Sequence, residues 1–122
     1  MATSCYSIPS LSMPKETAEL VPGTLIMLIL RVLRPGSMHG YAIAQRIRQL
    51  SGDAFQVEEG SLYPALQKML LKGWVEAEWG ISGTKRRVRI YSLTPAGRKQ
   101  LATEIADYSH VSEAIQAVLK LA

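Results

Sequence analysis

The chain has 122 residues, enough for one domain, and its 48% hydrophobic and 20% charged residues exclude a disordered polypeptide. A formal charge of +4 and a sequence pI of about 9.4 favour acidic partners, nucleic acid first among them. A single cysteine, Cys5, excludes an intrachain disulfide and a multi-cysteine zinc site, and fits a reducing cytoplasm.

Residues 1–20 are rich in Ser, Thr and Pro and are expected to form a flexible tail. No basic start precedes an apolar stretch, so they do not read as a signal peptide. The apolar run "LIMLIL" (25–30) is far shorter than the ~20 residues of a membrane span, which predicts no membrane association. Pro22 and Gly23 introduce "TLIMLILRVL", where Thr24 can cap and Leu25, Leu28, Ile29 and Val32 form a helical stripe. Pro35-Gly36 ends this first helix. A second helix, "YAIAQRIRQL", places Ile43, Ile47 and Leu50 on one face and stops at Ser51-Gly52-Asp53.

The third helix lies in "EEGSLYPALQKML" (58–70). Proline lacks an N–H and is tolerated only in a first turn, so Pro64 predicts an N-cap at Gly60 or Ser61, with Ser61 the better cap. Its free N–H groups would then favour a phosphate, while Leu62, Leu66 and Leu70 face inward.

Next the period falls to two. "WVEAEW" (74–79) and "RVRIYSL" (87–93) alternate as strands, and the polar, two-glycine segment "GISGTKR" joins them as a hairpin with a long basic tip. Trp74 and Trp79 read as core and strand-end packing. Arg89 belongs to the basic set Lys85, Arg86, Arg87, Arg89, Arg98 and Lys99, with a pair to Glu76 or Glu78 across the hairpin as the alternative, so 85–87 come first at the wing tip. Thr94 and Pro95 then open a last helix of about 24 residues, roughly 36 Å. A compact domain of ~100 residues has a radius of gyration of only ~13 Å. The apolar face Leu101, Ile105, Tyr108, Val111, Ile115 and Val118 must overhang, which predicts a homodimer.

The fold class is therefore mainly α with a small β-hairpin: a winged helix-turn-helix plus a long C-terminal dimerisation helix. The expected divisions are a tail at 1–20, a DNA-binding domain at 21–93 and a dimerisation helix at 94–122. In such a domain the third helix enters the major groove and the second crosses the backbone. Candidate contacts to double-stranded DNA are Tyr41, Ser61, Tyr63, Pro64, Gln67 and Lys68, with Lys85, Arg86 and Arg87 on the wing. Gln67 suits an adenine edge and Lys68 a phosphate. Competing assignments are a solvated wing and a half-buried packing role for Tyr41. His39 and His110 lack metal-ligand spacing. With no nucleophile–base pair, metal cluster or phosphate loop, neither an enzyme nor a cofactor is expected. The alternative is a winged-helix protein-interaction module that does not bind DNA.

The segments "MHGYAIAQRI", "VEEGSLYPALQKMLLKGWVEAEW" and "RRVRIYSLTPAGRKQL" resemble the PadR family of bacterial transcriptional regulators, in particular a short subtype common in acidobacterial genomes. The resemblance covers about residues 20–120. It implies a cytoplasmic, dimeric winged-helix repressor on a pseudo-palindromic operator, with DNA contacts carried over to Tyr41, Ser61, Tyr63, Pro64, Gln67 and the wing residues 85–87. Many relatives have tryptophan near Tyr108, which in some lines a ligand pocket at the dimer interface; short relatives often have an acid where this chain has Met27. These two departures speak against an inherited ligand: plain dimer packing is the first reading of Met27 and Tyr108, and an apolar small-molecule effector site between subunits the second.

Overall fold

The computed structural model describes residues 24–120. The expected tail, Cys5 and the Pro22-Gly23 pair lie outside them. Helix α1 spans Thr24–Leu33, with Thr24 its first helical residue. Its apolar face is wider than the expected stripe, because Ile29, Leu30, Val32 and Leu33 are the buried residues while Leu25 and Leu28 are only half-buried. The turn after it leads into a two-residue strand β1, Met38–His39, too short to register as a periodic pattern. Helix α2, Gly40–Leu50, is capped by His39, whose Nδ1 accepts from the Ala42 N–H at 3.4 Å. Ile43 and Ile47 are buried as expected, but Leu50 is 62% exposed and does not join the core. Gly52 and Asp53 take left-handed backbone, with φ of 62° and 67°, and reverse the chain.

Helix α3, Glu59–Leu71, starts earlier than Pro64 suggests. The N-cap is Glu58, whose carbonyl accepts from Ser61 at 3.0 Å and Leu62 at 2.9 Å. Ser61 is thus a helical residue of the first turn, not a cap, and Pro64 lies in the second turn, where its ring removes the bond to the Gly60 carbonyl. An interior proline costs about 3 kcal/mol. Burial of Leu62, Leu66 and Met69 at 1% exposure or less offsets this, at roughly 1.5–3 kcal/mol each. Gly60 itself is exposed. The helix ends in a Schellman motif: Gly73, at φ 78°, donates to Leu70 and Trp74 donates to Met69.

Strands β2, Val75–Ile81, and β3, Arg87–Leu93, form the hairpin. With β1 they make a three-stranded antiparallel sheet in the order β1-β3-β2. The tip is shorter than expected, because β2 extends through Gly80 and Ile81. Lys85 donates to the Ser82 carbonyl at 2.8 Å and sits at φ 65°, the left-handed residue that a three-residue hairpin loop requires.

Helix α4, Pro95–Leu119, opens as predicted. The Thr94 hydroxyl accepts from Gly97 N–H at 3.0 Å and donates to the Gly73 carbonyl at 2.6 Å, tying the start of α4 to the end of α3. A Cβ on Gly97 would collide with the Trp74 carbonyl, so glycine permits this close approach. The core unites Ile29, Leu30 and Leu33 of α1 with Ile43, Leu62, Leu66, Met69, Val75 and Tyr91. Leu101, expected on the dimer face, is 4% exposed within this same core. The first turns of α4 therefore belong to the domain, and its uncovered face begins at Ile105.

Candidate nucleic-acid interface

Every residue expected at the DNA is at the surface. Ser61, Tyr63, Pro64, Gln67 and Lys68 occupy the side of α3 turned away from Leu62, Leu66 and Met69, and all are exposed. Lys85, Arg86 and Arg87 are exposed at and beside the hairpin tip. The N-terminus of α3, however, differs from the anion site predicted. Glu58 and Glu59 occupy its cap and first position, so the positive end of the helix dipole faces its own carboxylates. The side of the helix, rather than its end, is the surface available to a duplex.

Tyr41, Tyr63 and Arg87 meet in one cleft of about 260 Å³, closed by His39, Trp79 and Arg89. The first turn of α2 supplies Tyr41, whose ring stacks on His39 at 6.5 Å and 5°, and whose hydroxyl accepts from Gln45 at 3.2 Å. Its phenolic proton remains available. Tyr41 is 62% exposed, which removes the half-buried packing alternative. Tyr63 reaches the cleft across Gly40, where a Cβ would sit 3.0 Å from the phenol. Burial against this surface, followed by the charge of Glu59 and then Tyr91, raises the Tyr63 hydroxyl above its ordinary value of 10.0. It is a neutral hydrogen-bond donor throughout the physiological range.

The hairpin supplies the cations. Register pairs Trp79 with Arg89 and Glu78 with Ile90, placing Arg89 on the face opposite Glu76 and Glu78. The alternative of an Arg89–glutamate pair is thereby excluded, since alternate residues of a strand point to opposite faces. Arg87 and Arg89 instead lie over the Trp79 ring, 4.3 Å and 5.4 Å from its centroid. Trp79 itself is 56% exposed and is not core, unlike the half-buried Trp74. Its role was missed because alternation shows which face a residue occupies, not where along the strand the core ends. His39, which lacks metal-ligand spacing, has a structural role as the cap of α2.

The two residues marked for an effector are in different settings. Met27 is half-buried against the core, whereas Tyr108 is 52% exposed on α4. Ala102, Ala106 and Ile105 border a separate cleft of about 480 Å³ with Arg34 and Arg98. Among the described residues, no group of three or more His, Cys, Asp or Glu could hold a metal ion, and no helix is long and apolar enough to cross a membrane.

Residues 29–103, more than half of the chain, match the model of the transcriptional regulator PadR-like family. The chain belongs to the PadR-like family. It is 27% identical over 88 residues to the negative transcriptional regulator PadR of Bacillus subtilis, an alignment covering 72% of this chain and 48% of that one. The structure of a transcriptional regulator from Clostridium thermocellum superimposes with a TM-score of 0.74 at 26% identity, covering 80% of this chain and 95% of the other. Bacillus subtilis PadR in complex with operator DNA gives a TM-score of 0.61 at 29% identity, covering 68% of this chain and 47% of that chain. The winged-helix architecture read from the element order is thus that of PadR-like regulators, and transcriptional regulation is the family's function.

Proposed function

We propose that this PadR-like chain is a homodimeric, cytoplasmic repressor that binds a pseudo-palindromic operator and catalyses no reaction. The observation that carries the reading is the single cleft shared by Tyr63 of α3, Tyr41 of α2 and Arg87 of the hairpin. It sets a helix flank, a helix start and a cationic wing on one surface, as docking in a major groove with flanking phosphate contacts requires. In this reading Tyr63 and Gln67 approach base edges, Ser61 and Pro64 lie along the groove, and Tyr41, Lys68 and the wing residues Lys85, Arg86 and Arg87 contact phosphates. The Bacillus subtilis relative named a negative regulator, and solved with operator DNA, supports both the ligand and the sign of regulation.

The dimer is proposed from α4. Ile105, Tyr108, Val111, Ile115 and Val118 are all at least 42% exposed and recur at intervals of three and four residues. That spacing is self-complementary in a helix pair, and a second copy would remove the apolar face from water.

The test is a titration of a DNA duplex, enriched from a random-sequence pool by the protein itself, at several ionic strengths. With roughly 6–10 phosphates engaged, affinity is expected to fall ~10³–10⁵-fold between 50 and 200 mM salt. Failure to enrich any duplex, or an affinity indifferent to salt, would replace the reading with that of a protein-interaction module.

A further inference from the structure

We propose that Trp79 is a positioning residue for DNA binding, which holds Arg87 and Arg89 as a paired guanidinium site for one backbone phosphate. The inference rests on the DNA-binding reading, in which Arg87 already meets a phosphate, and extends it to Trp79 and Arg89. Its basis is the hairpin register, which puts Arg89 directly across from Trp79 and Arg87 on the same sheet face. Both guanidiniums lie over one indole, at 4.3 Å and 5.4 Å, within the range of cation–π attraction.

Two like charges converge there, and neither forms an ion pair among the described residues. Glu76 and Glu78 point to the other face, and the single ion pair among the described residues joins Arg48 to Asp53, elsewhere in the molecule. The Arg89 Nε is buried and meets no hydrogen-bond partner. A buried N–H that water cannot reach and the protein does not satisfy is costly. Because water cannot reach the Nε, the terminal Nη groups of Arg89, which are not among the buried unsatisfied atoms, are the ones left to meet a phosphate. Trp79 is 56% exposed, so its ring contributes more to the posture of the arginines than to the core. The ligand chemistry follows: a phosphodiester oxygen pair matches the planar guanidinium fork. The hydroxyls of Tyr41 and Tyr63 line the same cleft as further donors.

The experiment compares Trp79→Leu, Trp79→Phe, the Arg87→Ala/Arg89→Ala double variant and the triple variant with Trp79→Leu. Each is titrated with the duplex enriched by the wild-type protein, at several salt concentrations, beside a thermal melt. Trp79→Leu is expected to weaken binding about fivefold, the product of two exposed cation–π contacts, and to lower the salt slope by about 1. The thermal midpoint should fall by no more than several degrees, as loss of two exposed contacts within the protein does, Trp79→Phe should retain most of the affinity, and Trp79→Leu should add nothing once both arginines are gone.

The proposal is overturned if the salt slope of Trp79→Leu matches wild type, if Trp79→Phe loses as much as Trp79→Leu, or if the loss persists without the arginines. A wild-type protein that enriches no duplex would instead fail the DNA-binding reading, and this inference with it.

Discussion

Two positions illustrate how single residues are constrained by backbone rather than by side-chain chemistry. Gly97 lies where α4 crosses the chain leaving α3, and any Cβ there meets the Trp74 carbonyl, which cannot rotate away. Gly97→Ala is expected to cost about 1–3 kcal/mol, as overpacking does elsewhere, seen as a lowered thermal midpoint. Gly36→Ala, with open space around the added methyl, should leave the midpoint nearly unchanged. Lys85 presents the opposite case, a side chain in left-handed backbone at φ 65°. That conformation costs an L-residue roughly 1–2 kcal/mol, and glycine returns part of this as chain entropy. Lys85→Gly should therefore raise stability by about 0.5–1 kcal/mol while weakening DNA binding through the lost charge. A melt and a duplex titration on the same sample separate the two effects.

At the scale of elements, α3 joins stability to recognition by assigning them to different faces. Leu62, Leu66 and Met69 anchor it, while Tyr63 and Gln67 occupy the open side. Tyr63→Ala with Gln67→Ala should lower duplex affinity by at least tenfold, at ~1–3 kcal/mol per good base contact, with only a small change in thermal midpoint. A large loss of stability would assign the pair to packing. The helix also shows how a local rule was overridden. Pro64 argued for a start at Gly60 or Ser61, since proline is cheapest in a first turn. The chain instead begins the helix at Glu59, because the buried leucines and the acidic residues at its positive end stabilise the extra turn. The hairpin was legible as two strands and a basic turn, but alternation alone could not extend β2 to Ile81 or pair Trp79 with Arg89.

For the whole molecule, the decisive feature is a helix longer than the domain that carries it. The first turns of α4 bury Leu101 in the shared core, and the remainder presents apolar residues to water. Ile115→Asp with Val118→Asp is expected to give one protomer per particle by light scattering, with helical circular dichroism retained because both side chains are exposed. Duplex affinity should then fall by on the order of 10²-fold, as two half-sites lose their linkage. A monomeric wild-type chain at micromolar concentration would remove this account of α4. A variant that still pairs would move the interface elsewhere.

The sequence alone determined the features that depend on residues within a few positions of one another. Thr94 and Pro95 as a helix start, Ser51-Gly52-Asp53 as a stop, the change of period at residue 74 and the basic wing were all readable, because caps, turns and alternation are local. Only the tertiary structure decided which side of the hairpin Arg89 occupies, that Trp79 leaves the core, and that Leu101 is internal while Ile105 is not. Cross-strand register and burial depend on partners far away in the chain, where periodicity carries no information about which neighbour arrives.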